Sequence, residues 1–152
     1  MSIKTQGTNL FFIDTGAVVT MQCPTGITGL GGSRDQIETT CLNATDDKSY
    51  VSGLGNPGQV SVPFVFDPSA SSHQDLLDLH DSGDVTDWAI GFSDGSATPT
   101  LVSGSFNFAT TRTYAEFSAF VADVSIDVAT NEVVRGTLTL QRSGTVAWSF
   151  KV

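Results

Sequence analysis

Positive charge is scarce in this chain. Its 152 residues hold 7 Lys and Arg against 16 Asp and Glu, a formal net charge of −9. The cations never cluster, which argues against a domain that reads nucleic acid through its phosphates. Cysteine is scarcer, with Cys23 and Cys41 alone. They allow at most one intrachain disulfide, and buried structural thiols are the expected state in a reducing compartment. No apolar run approaches the ~18 residues of a membrane span. The opening MSIKTQGTN has neither the charged nor the apolar region of a secretory signal. A soluble protein made in the cytoplasm, with no membrane partner, is the expectation.

Catalytic signatures are missing as well. There is no GxSxG, HExxH or CxxC. Gly26, Gly29, Gly31 and Gly32 lack the spacing of a phosphate loop and read as turn glycines. The two histidines, His73 and His80, lie seven apart, or ~10 Å along a helix, too far to share one metal. They read as polar surface residues. Asp75, Asp78, Asp81, Asp84 and Asp87 form an acidic run without a base. Their spacing is not that of a calcium loop, and a solvated face is the reading, with Asp75 favouring the positive end of a helix. The Asn43-Ala44-Thr45 sequon means nothing without secretion. These residues point to no enzyme, no cofactor and no metal.

What is abundant is strand-forming residues. Val, Ile, Thr, Phe, Tyr and Trp make up 54 of the 152 residues, while Lys and Glu number three each. Val60, Val62, Phe64 and Phe66 alternate with Gln59, Ser61 and Val65, and Trp88, Ile90 and Phe92 with Asp87, Ala89 and Gly91. A third run alternates Val102, Gly104, Phe106 and Phe108 with Ser103, Ser105 and Asn107. In a fourth, Phe120, Ala122, Val124, Ile126 and Val128 oppose Val121, Asp123, Ser125 and Asp127. Val134, Leu138 and Leu140 form a further face, and Val146, Trp148 and Phe150 follow a turn at Ser143-Gly144. Residues 8–13, 18–23 and 36–42 read less cleanly as strands. Pro63 assigns its strand to an edge or a bulge. The pattern predicts a mainly β single domain over 1–152, a β-sandwich or partly closed barrel.

Two segments depart from alternation. Residues 72–82, SHQDLLDLHDS, predict one short flanking helix with Ser71 as N-cap, Gln74 as its capping-box partner and Gly83 as its stop. Residues 43–58 hold Gly53, Gly55, Asn56-Pro57 and Gly58, which predict a long flexible loop rather than a regular strand. Yet Tyr50, Val51 and Leu54 make it more apolar than a solvent loop requires.

The stretch Gly29-Leu30-Gly31-Gly32-Ser33-Arg34-Asp35-Gln36-Ile37-Glu38-Thr39-Thr40-Cys41-Leu42 is the most informative. A Gly-rich turn, an Asp-x-Ile-Glu-Thr-Thr run, a long loop and a Val/Pro/Phe strand resemble the major tail tube proteins of long, non-contractile-tailed bacteriophages. The order of the remaining elements, through Arg142-Ser143-Gly144 to Trp148, resembles them too.

The resemblance implies a structural virion protein that forms hexameric rings stacked into a hollow tube. Its partners would be further copies of itself, a tape-measure protein, and tail-terminator and tail-tip proteins. DNA would pass through without sequence-specific binding, and assembly would occur in the host cytoplasm. Many relatives carry a C-terminal immunoglobulin-like domain, and none is expected after Val152. Asp46, Asp47, Lys48, Tyr50, Val51 and Leu54 would then form an inter-ring assembly loop. Asp123 and Asp127 would face the lumen, where six copies of −9 give −54 per ring and should repel phosphate. The alternative is a receptor- or carbohydrate-binding β-sandwich of fibre or adhesin type, with Tyr50 and Tyr114 as its spare aromatics. A third reading is a tube protein of a contractile or secretion apparatus.

Overall fold

The computed structural model describes residues 2–152. Eleven elements follow in order: β1 (Asn9–Asp14), β2 (Ala17–Thr20), β3 (Ser33–Glu38), β4 (Tyr50–Asn56), β5 (Gln59–Val65), α1 (Ser71–Ser82), β6 (Thr86–Gly91), β7 (Thr100–Val102), β8 (Ser105–Asn107), β9 (Tyr114–Asp127) and β10 (Arg135–Ser149). Six strands form one antiparallel sheet in the order β2-β1-β6-β9-β10-β5, while β3-β4 and β7-β8 are separate two-stranded ribbons. The fold is mainly β with one helix, and the sheets do not close into a barrel.

The core lies on one face of the large sheet. Leu10 and Phe12, Trp88 and Ile90, Ala115 and Phe117, Leu138 and Leu140, and Val60, Val62 and Phe64 all point to it, covered by Leu76 and Leu79 of α1. These are the alternating positions of each strand, so period-2 burial is what holds the register. A smaller cluster of Phe11, Ala89 and Tyr114 sits on the opposite face under Phe106 and Phe108. Pro63 lies on the edge strand β5. It has no N–H to offer a further strand, and its carbonyl accepts the Thr25 N–H at 2.8 Å.

The structure corrects several expectations. Residues 102–108 are a tight hairpin rather than one strand, because Ser103 and Gly104 both have positive φ, 54° and 80°. Likewise β10 runs unbroken through Ser143-Gly144, with a register irregularity in place of a turn. Ala70, not Ser71, is the N-cap of α1, without a side-chain cap bond, whereas Gly83 closes the helix in left-handed conformation at φ 71°. The first turn of α1 holds no acid. The Asp75 carboxyl is instead pushed up by burial and by the neighbouring Asp14 and Asp78.

Both cysteines are exposed rather than buried. His73 is buried rather than superficial. Its Nε2 lies 2.7 Å from the Gln22 carbonyl oxygen, while its Nδ1 accepts the Asp67 N–H at 3.0 Å. That pairing suits the neutral Nε2–H tautomer and ties the helix to the chain ahead of β3.

The polar knot of the fold is Arg112, which is 1% exposed. Its guanidinium donates to the carbonyls of Phe92, Ala97, Gly7 and Gly91 and to Asn9 Oδ1, at 2.7 to 3.0 Å. No carboxylate takes part. One side chain thus joins the start of β1, the end of β6 and the loop behind it. A Cβ on Gly91 would stand 2.7 Å from Arg112 Cζ, so only glycine fits there.

Candidate assembly surfaces

The largest correction falls on residues 43–58. Tyr50–Asn56 is strand β4, paired antiparallel with β3 through Glu38↔Tyr50, Ile37↔Val51, Gln36↔Ser52 and Ser33↔Asn56. Gly53 and Leu54 mark an irregularity in this ladder between Arg34 and Gln36, which is how the glycines are accommodated. Sequence reasoning missed the pairing because β4's partner lies ahead of the loop and is itself polar.

The ribbon is exposed along almost its whole length. Every residue of β3 and all of β4 except Gly53 are open to solvent. Six strand residues at ~3.3 Å each give it a reach of roughly 20 Å. The expected site residues come together on it. Tyr50 and Val51 are each 53% exposed and Leu54 84%, and Asp46, Asp47 and Lys48 occupy the connection before β4. Lys48 Nζ approaches Glu38 Oε1 at 3.9 Å, a weak surface pair that leaves Asp46 and Asp47 free of it. Ile37, opposite Val51, and the fully exposed Leu42 add to the apolar surface and were not foreseen. Ile37 lies within the Asp-x-Ile-Glu run, so the signal was present.

At its root the ribbon is clamped. Buried Arg142 donates through Nη1 to the carbonyls of Leu30, at 3.0 Å, and of Gly31. Burial pushes its guanidinium pKa down. On the other leg, the Gly58 carbonyl accepts both the Arg142 N–H at 3.2 Å and Gln141 Nε2 at 3.1 Å.

Asp123 and Asp127 share the exposed face of the large sheet, opposite the core. Asp123 pairs with Thr139, Ser125 with Thr137 and Asp127 with Arg135. Upstream on β9, Glu116 and Ser118 occupy the same face, and Ser118 Oγ donates to Asp87 Oδ1 at 2.9 Å. Burial, and then the Asp87 charge, raise the Glu116 pKa. Asp87 and Glu116 therefore extend the acidic face beyond the two residues expected. Alternation along 114–121 carried that information. Among the described residues no group of three or more acids, histidines or cysteines is arranged to hold a metal ion. Among the described residues no helix is long and apolar enough to cross a membrane.

A six-stranded sheet with one helix on its core face and a two-stranded ribbon beside it is a fold shared with solved structures of tail and tube assemblies. The tail of an empty GTA particle, refined with C6 symmetry, superposes with a TM-score of 0.71 at 11% identity over 97% of this chain and 98% of that one. The SPP1 tail tube gives 0.70 at 12% identity, over 99% and 81%. The sheath-tube complex of the extracellular contractile injection system PVC, in its extended state, gives 0.69 at 16%, over 97% and 90%. Those likenesses concern the fold. In sequence, the chain is 40% identical over 149 residues to structural protein 3 of Pseudomonas phage PAJU2, covering 93% of this chain and 90% of that protein. Residues 1–152 match the family described as phage tail tube, TTP, lambda-like. The chain belongs to that family of structural phage tail proteins.

Proposed function

We propose that the protein assembles into six-fold rings that stack into a hollow tail tube, and that phage DNA leaves the capsid through it. The observation that carries this reading, given the family, is the exposed β3-β4 ribbon. A two-stranded ribbon is marginal in water by itself, and this one presents Ile37, Leu42, Tyr50, Val51 and Leu54 to solvent. Docking on the adjacent ring would bury them, at roughly 1.5–3 kcal/mol for each fully covered side chain. Asp46, Asp47 and Lys48 orient that contact more than they strengthen it.

In the same reading the acidic face of Asp123 and Asp127, extended by Asp87 and Glu116, lines the channel. Like charge keeps DNA phosphate from binding, so the duplex slides. A tape-measure protein fills the lumen before DNA does, terminator and tip proteins close the two ends, and assembly takes place in the host cytoplasm. Negative-stain microscopy of the concentrated protein, or of tails from virions, tests the reading. Stacked six-fold rings are expected; a monomer at every concentration, in a particle lacking the protein from its tail, would overturn it.

A further inference from the structure

A second apolar surface lies away from the ribbon. The N-terminal segment Ile3–Thr8 and residues 24–30 wall a cleft of about 930 Å³ whose floor is Ile90 and Phe92. From Phe92 an aromatic stack runs outward. Phe92 and Trp148 stack at 5.8 Å with planes 14° apart, and Trp148 and Phe150 at 5.9 Å and 9°. Trp148 is 49% exposed and Phe150 68%, so the stack presents a large apolar surface to water. No residue of the chain's own ribbon lines the cleft.

The charge around this corner opposes the rest of the molecule. Ser93 Oγ donates to the Lys4 carbonyl, and Lys151 Nζ donates to the Asp94 carbonyl at 2.8 Å, so both lysines flank one short loop. Beneath them the buried Arg112 guanidinium binds the Gly7, Gly91 and Phe92 carbonyls. Three of the chain's seven basic residues thus meet here, with Asp94 among them. The Asp94 carboxylate is held by the Thr113 N–H and hydroxyl. The ribbon has the complementary character: exposed aliphatic and aromatic side chains, and Asp46-Asp47 free of the Lys48–Glu38 pair.

We propose that the cleft and the Phe92–Trp148–Phe150 stack are the acceptor for the β3-β4 ribbon of a second copy in the adjacent ring. This inference rests on the ribbon acting as the stacking element. Val51 and Leu54 lie against the aromatic stack, Tyr50, on the other face of the ribbon, lies against the cleft mouth, and Asp46-Asp47 approach Lys4 and Lys151. Apolar burial supplies the affinity, and the charges set which copy and which orientation is accepted.

Trp148 reports on the contact directly. Acrylamide quenching of tryptophan emission is measured in the free subunit and in tubes, with Trp88, fully buried, as the shielded internal reference. In tubes Trp148 is expected to become as shielded as Trp88. Charge reversal adds an orthogonal test: D46K/D47K and K4D/K151D proteins each lose tubes while keeping the circular dichroism of the wild type. The variant carrying all four changes recovers them. Tubes in which Trp148 stays as quenchable as in the free subunit, or a fourfold variant that folds yet forms none, overturn the acceptor assignment. Tubes formed by the Y50S/L54S protein overturn the stacking role of the ribbon itself, a distinct outcome.

Discussion

Val121 stands opposite Leu140 and Asp123 opposite Thr139, so Ala122 faces no residue of β10. This single extra residue inverts the alternation along β9. Ala115, Phe117, Ala119 and Val121 point to the core ahead of it, and Val124 points there after it. Asp123 and Asp127 thereby join Glu116 and Ser118 on the sheet face away from the core rather than opposing them, exposed at the two aspartates and half-buried at Glu116 and Ser118. If that face lines the channel, Asp123→Lys with Asp127→Lys converts a repelling surface into one that binds phosphate. Both side chains are exposed, so tubes are expected to form normally. DNA ejection should slow, most at low salt, where screening is weakest. Ejection kinetics followed by a DNA-binding dye at two ionic strengths check this; equal rates at both would sink the lumen assignment.

The Arg112 knot predicts a stability effect. Arg112→Met keeps much of the side-chain volume but leaves the Gly7, Gly91, Phe92 and Ala97 carbonyls without this donor. It also removes the cation from the faces of Phe11 and Tyr114, 5.6 and 5.7 Å away. A loss of about 3 kcal/mol or more is expected, since hydrogen bonds to a charged group contribute ~1.5–3 kcal/mol each and are not all replaced by water. Arg112→Lys should recover only part of it, because one ammonium cannot span acceptors on three segments. Urea unfolding midpoints of the two variants measure the order.

Much of this fold was legible in the sequence, and the failures share a cause. Strands with one clean apolar face, such as Val60–Phe64 and Trp88–Ile90, announce themselves because burial enforces the period. The bulge at Ala122 defeats that reading: Phe120 continues the phase of Val124 in sequence but lies on the other face. Ribbon β3-β4 defeats it differently, since neither strand has a buried face from which alternation could be read. The Ser103-Gly104 hairpin was hidden because Val102 and Phe106 share one phase in sequence, whereas in the hairpin Phe106 pairs with Leu101 and Val102 with Ser105, on opposite faces. His73 and Arg112 were unreadable for another reason. Their acceptors lie on distant segments, 51 residues away for Gln22 and 105 for Gly7.

Acid pH gives a signed test of the carboxylate environments. Asp75 and Glu116 have raised pKa values, chiefly from burial, so the folded protein holds their protons more tightly than the unfolded chain does. Their effect on stability is unfavourable at neutral pH and is relieved as pH falls through the raised values toward the ordinary 3.8 and 4.5. Asp67 and Asp94 act oppositely. Hydrogen bonds from Ser69 and from Thr113 lower their pKa values, and the stability they confer is lost as pH drops below 3.8. Asp75→Asn should therefore raise the thermal midpoint at pH 7 and lose that advantage near pH 4. Melting curves of both proteins across that range decide it; an advantage that grows toward pH 4 would contradict the assignment.

The ribbon can be removed without touching the core, and that makes the strongest prediction. Ser33 and Asn56 are directly paired, so an Asn-Gly turn joining them closes the root as a tight hairpin. Both legs stay anchored by contacts outside the excised segment, Arg142 to Leu30 and Gly31 on one side and Gly58 to Arg142 and Gln141 on the other. The core residues lie elsewhere, with Val60, Val62 and Phe64 following the excision. The shortened subunit should fold with nearly the wild-type thermal midpoint. It gives up little packing, because the deleted side chains are exposed, and it no longer orders a projecting backbone at about 1–2 kcal/mol per residue. Stacking should nevertheless be lost, leaving monomers or isolated rings in negative stain. Replacing only Tyr50 and Leu54 with Ser should give the same result with the backbone intact. Tubes of normal length from the shortened protein would refute the role of the ribbon. A shortened chain that fails to fold while the Tyr50/Leu54 double variant still builds tubes would place the segment in the core-forming unit instead.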